Sequence, residues 1–172
     1  ESGIVRNVGI VASMINGSSQ VGGIAGINNG MIEGCYFSGK VVATNQSVGG
    51  IVGGNNGNVT NCYSLAYVQG TNMVGGLVGY NKQASVSNCY HSGAIFGDSS
   101  VGALVGADTY SSVTNCYYNS TKALVTLEAI GRKNNSTVVN VEGKSAEQFA
   151  SGEVAHLLQK ENTQYVWGQD NN

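Results

Sequence analysis

Through residues 1–119 the apolar residues fall in short runs rich in Val and Ile, broken by Gly, Asn and Ser, and none keeps a 3.6-residue period across ten positions. Such runs predict β-strands. One reads VGGIAG at Val21, VGGIVG at Val48, VGGLVG at Val74 and VGALVG at Val101, with starts 27, 26 and 27 residues apart. A second reads MIEGCY, NVTNCY, SVSNCY and SVTNCY, and places Cys35, Cys62, Cys89 and Cys116 at intervals of 27. A third lies around Val41, Val68 and Ile95. The one-residue slip of the first signal is absorbed before the next cysteine, where NKQAS stands against NNGN.

Three strands per copy at a fixed period predict an all-β fold: a parallel β-solenoid of about four to five 27-residue coils over residues 1–119. Each strand then pairs with its counterparts in adjacent coils, about 4.8 Å away. The crossover preference of parallel strands makes the solenoid right-handed. Recurring residues become columns. Val21, Val48, Val74 and Val101, with Val41, Val68 and Ile95, are expected in the core. Asn7, Asn61, Asn88 and Asn115, interrupted by Gly34, suit a corner that needs left-handed backbone, and their amides can bond along the column. The glycine columns Gly22/Gly49/Gly75/Gly102 and Gly26/Gly53/Gly79/Gly106 suggest tight corners or closely approaching backbones. The period run backward from Cys35 lands on Val8, so the chain opens partway through a coil and is expected to be an excerpt of a longer array.

The G-I/L-A/V-G core, as GIAG at Gly23, GIVG at Gly50 and GLVG at Gly76, resembles the GLUG repeat of bacterial secreted and surface proteins. These include adhesin-like proteins and accessory regions of immunoglobulin A1 metallopeptidases. The fourth copy departs from the motif, with Ala103 in the first glycine place. The resemblance spans roughly Ile4 to Asn119. It implies an extracellular location and a structural or binding role, since the repeat brings no catalytic residues of its own.

From Ser120 the 27-residue period ends and charge rises, so residues 120–172 are expected to form a small α+β cap and linker. KSAEQFASGEVAHLLQK predicts a helix near 145–159, capped by Ser145 with Gln148 in a capping box and divided at Ser151-Gly152. LVTLEAI and STVVNV are expected to pair as strands, and QYVWGQ to form another.

Composition narrows the partners. Only 10% of residues are charged and the net charge is -2, which gives no counterion-release term for nucleic acid. No run of about 18 apolar residues is present to insert in a membrane. Four cysteines spread along a column cannot gather around one zinc ion. Two readings stay open for them: reduced thiols filling the core, which Val8 in the same column favours, or disulfides joining Cys35 to Cys62 and Cys89 to Cys116. Strand alternation puts the cysteines on one side and Tyr36, Tyr63, Tyr90 and Tyr117 on the other. With Cys inward, the tyrosines make an outward ladder, flanked by Phe37, His91 and Tyr118, that could hold a sugar or stabilise the sheet.

Catalysis is not expected. The acids Glu33, Asp98 and Asp108 fall on different coils at different phases, His91 and His156 suit packing or surface, and no H-E-x-x-H occurs. No cofactor or metal site is expected. The resulting reading is a non-enzymatic extracellular adhesion or spacer module whose partner is a host glycan or protein. The alternative is an accessory carbohydrate-binding or substrate-positioning domain of a secreted hydrolase or peptidase. Specificity is expected in the variable loops ATNQS, QGTN and FGDSS.

Overall fold

The computed structural model describes residues 2–122, 126–160, 162 and 167. Its body is a parallel β-solenoid of stacked coils with three sheets. Sheet one stacks Ile4–Arg6, Met31–Glu33, Asn58–Thr60, Ser85–His91, Ser112–Asn119 and Thr137–Lys144, and continues round through Gly9–Gly17, Tyr36–Ala43, Tyr67–Gln69 and Ile95–Phe96. Sheet two stacks Val21–Gly22, Gln46–Gly49, Asn72–Gly75 and Ser99–Gly102. Sheet three stacks Ala25–Asn28, Val52–Asn55, Val78–Lys82, Val105–Thr109 and Ile130–Asn134.

The register follows the repeat. Val48 pairs with Val74 and Val74 with Val101, Tyr36 with Tyr63 and Tyr63 with Tyr90, and Cys89 with Cys116. Of the expected core columns only Val101 stays half-buried; the others are buried. Ile51, Leu77 and Leu104, the large residues of the GLUG segment, fill the centre with no exposure.

The motif glycines bring backbones together. A Cβ on Gly76 would stand 2.3 Å from the Ala103 carbonyl and 2.4 Å from the His91 ring. Sheets two and three meet along a second glycine seam, where a Cβ on Gly49 would lie 2.8 Å from the Gly79 nitrogen. No larger residue fits without moving a backbone. The expected Asn corner is present: Asn7, Asn61, Asn88 and Asn115 all lie at φ between 50 and 56, and Gly34 takes the same place at φ 61.

One expectation is corrected. The strands that follow Asn119 do not pair with each other. Ile130–Asn134 pairs with Val105–Thr109, and Thr137–Lys144 with Ser112–Asn119, both parallel, so the chain continues the solenoid. The offset from Val105 to Ile130 and from Cys116 to Val141 is 25 residues, against 27 from Val78 to Val105 and from Cys89 to Cys116. Val138 sits on Val113, and Val141 takes the cysteine place as Val8 does at the other end. Residues 123–125 of the LVTLEAI region, and the QYVWGQ strand apart from Trp167, lie outside the described residues.

After Lys144 the chain turns back along the solenoid. Helix α1 (Ala146–Ala150) begins at Ser145, whose hydroxyl accepts from the Gln148 backbone N–H while the Gln148 side chain accepts from the Ser145 N–H. Gly152, at φ 83, separates it from α2 (Glu153–Lys160), which buries Val154 and Leu158. No helix among the described residues is long and apolar enough to cross a membrane.

Candidate functional site

Strand alternation sends the cysteines inward. All four are free and buried, and each thiol donates to the carbonyl two residues back: Cys62 to Thr60 at 3.1 Å, Cys89 to Ser87 at 3.0 Å and Cys116 to Thr114 at 3.1 Å. Burial pushes the Cys89 thiol up, which keeps it protonated and unreactive. The column packs.

The neighbouring inward column holds Phe37, Ser64 and His91. Desolvation lowers His91 to about 4, so at neutral pH its ring is uncharged. Its Nε2 accepts from the Gly93 N–H at 3.1 Å, and its Nδ1 lies 3.3 Å from the Ser64 hydroxyl. With both nitrogens occupied inside the core, the ring fills the space over Gly76 that Phe37 fills over Gly23.

The tyrosines face outward. The rings of Tyr36, Tyr63 and Tyr90 stack with centroids 4.9 and 5.0 Å apart and interplanar angles of 1° and 2°. The middle ring, Tyr63, therefore has both faces covered by its neighbours, and Tyr36 lies against the backbone of Gly9. What the column offers is ring edges. The chain's own tail takes them: Trp167 meets Tyr63 edge-on at 6.3 Å and Tyr90 at 5.7 Å, and Phe149 meets Tyr90 at 5.6 Å. Tyr117 is buried in a cluster with Val154 and Leu158, and its hydroxyl donates to Asn115 at 3.0 Å. Burial raises the Tyr90 phenol well above its ordinary range. Lys144 ties the edge of this cluster to Glu142 and Glu153.

Two polar ladders run beside these columns. Asn115 donates to Asn88 at 2.6 Å, and Asn162 of the tail donates to Asn61. The longer ladder lies in sheet three, where Asn28 donates to Asn55 at 2.8 Å, Asn55 to Asn81 at 2.8 Å and Asn81 to Asp108 at 2.7 Å. All four are buried, and the second carboxylate oxygen of Asp108 has no partner among the described residues. Sequence reasoning passed over this ladder, although its signal is plain: an Asn or Asp two residues after each VGGxxG.

Of the remaining acids, Glu33 is bound to Arg6 at 2.6 Å in sheet one, while Asp98 is exposed in the corner before Ser99. Asp108 is in sheet three. Among the described residues no three His, Cys, Asp or Glu side chains stand together to hold a metal ion.

The GLUG motif family matches residues 17–42, 44–66 and 70–95. The fourth VGALVG copy falls outside these matches, as does the 25-residue coil. No curated protein matches the chain. A crystal structure from Bacteroides ovatus, of a protein provisionally named an immunoglobulin A1 protease, is similar over 94% of this chain at 21% identity and a TM-score of 0.63. This chain spans 65% of that one, and the likeness speaks for a shared fold. The motif glycines sit where the coils fold back and the three matched segments are three successive coils, so residues 17–95 are built from GLUG repeats.

Proposed function

We propose that this chain is a non-enzymatic module of a larger secreted or surface protein, a rigid spacer that presents its corners to a host glycan or protein. The observation that carries this reading is where the reactive side chains go. The thiols, His91 and Asp108 are all buried inside ladders and columns, while Thr44, Asn45, Gln46, Gln69 and Asp98 of the variable corners are exposed. A fold that uses its chemistry for stacking has rigidity and length to offer.

A second reading follows from the Bacteroides ovatus likeness: the chain could position a substrate for a catalytic domain elsewhere in its protein. Incubation with immunoglobulin A1 tests both readings. The isolated chain should leave the antibody uncut; cleavage would overturn the non-enzymatic assignment. Retention of the antibody without cleavage favours the positioning role, and retention on glycan-bearing cells without antibody binding favours adhesion.

A further inference from the structure

Tyr110 is the one exposed tyrosine among the described residues. It is 60% exposed, and its ring enters no aromatic, cation–π or hydrogen-bond contact among the described residues. The backbone beneath it is strained: Tyr110 lies at φ 51, in a corner column with Gln83 at φ 49 and Asn135 at φ 49. A left-handed conformation is unfavourable for an L-residue, least so for Gly, Asn and Asp. An aromatic ring here takes up that conformation and keeps most of its surface in solvent.

Its surroundings are polar and cationic. The residue before it, Thr109, pairs with Lys82 on one side and Asn134 on the other, so Lys82, Gln83, Asn134 and Asn135 are exposed alongside the ring. Backbone bonds from Gln83 to Thr109 and from Tyr110 to Asn134, both 3.0 Å, hold this ledge to the solenoid. Lys82 makes no ion pair among the described residues, and the nearest acid in the sequence of the corner, Asp108, is turned inward to Asn81. An exposed aromatic ring that stacks on no other ring, side-chain amides and the unpaired ammonium of Lys82 match a pyranose that carries a carboxylate. The ring covers the apolar face of the sugar, the amides bond its hydroxyls, and Lys82 pairs with its charge.

We infer that Tyr110, Lys82 and the flanking amides form a carbohydrate site for acidic sugar chains, such as those bearing uronic or sialic acid. This rests on the adhesion reading above and names the partner class for it.

A glycan array of matched neutral and carboxylated sugars, probed with the wild-type chain, Tyr110→Asn and Lys82→Gln, tests the inference. Wild type should retain carboxylated sugars. Tyr110→Asn should weaken that binding about tenfold or more while its melting temperature stays the same or rises, because Asn suits the left-handed corner better. Lys82→Gln should level the preference between charged and neutral sugars. Undiminished binding by Tyr110→Asn would overturn the site and leave adhesion standing. Wild-type binding to a deglycosylated host protein alone would do the same. A wild-type chain that retains neither sugar nor host protein would overturn both.

Discussion

The solenoid body and the tail that lies on it are built on opposite plans. In the body a side chain meets copies of itself: Asn on Asn, Tyr on Tyr, Val on Val, Cys beside Cys. In the tail the contacts join unlike groups, with Trp167 on tyrosine edges, Lys144 between two glutamates and a hydroxyl capping a helix. Self-pairing makes stability a property of each rung and its two neighbours. The tail has one small cluster, around Tyr117, Val154 and Leu158, and its order depends on the ladder being there first.

The sharpest break in that contrast is a cavity inside a rung. Leu77→Ala, at a position with no exposure, should cost about 2–5 kcal/mol and lower the cooperative melt of the whole solenoid. Loss confined to the neighbouring coil would show that the rungs are less coupled than the stacking implies.

Acid should act next. The folded-state value of His91, about 4, lies below its unfolded value near 6.5, so the neutral ring is the form that folding favours. Its contribution is complete above about pH 6.5, falls as the pH drops towards 4 because the unfolded chain takes the proton first, and is level below that. The total is about 3 kcal/mol, read as urea midpoints across this range. His91→Phe, which copies the packing of Phe37 over Gly23, should flatten the curve.

The smallest effect belongs to the tail. Ser145→Ala removes the cap of α1 and should cost about 1 kcal/mol, seen as faster amide exchange in α1 and α2. Exchange in sheets one to three should not change; a change there would mean that the tail supports the ladder as well as resting on it.

The parts of the fold that the sequence announced are those that repeat. The left-handed corner was legible because Asn recurs and the one exception, Gly34, meets the same backbone demand. The cysteine column was legible through Val8, since a packing place accepts valine. The last coil was hidden by its loss of two residues, which moved Val138 and Val141 out of phase although they continue the Val113 and Cys116 columns. The seat of the tail could not be read because it depends on ring edges, a geometric property of the stacked tyrosines that no spacing encodes. Tyr110 escaped for the converse reason: the residues that matter to a fold recur, and this one has Gln83 and Asn135 as column mates.

The sheet-three ladder also sets a direction for growth of the array. Each carboxamide passes a hydrogen to the next, from Asn28 through Asn55 and Asn81, so a duplicated coil inserted anywhere in that series would receive and donate as its neighbours do. Asp108 has no amide hydrogen to hand on, and the next coil places Lys133 in its column. Asp108 can only accept, and its second oxygen is still unpartnered among the described residues, so the one-way polarity that begins at Asn28 ends there and the place beyond it suits a donor.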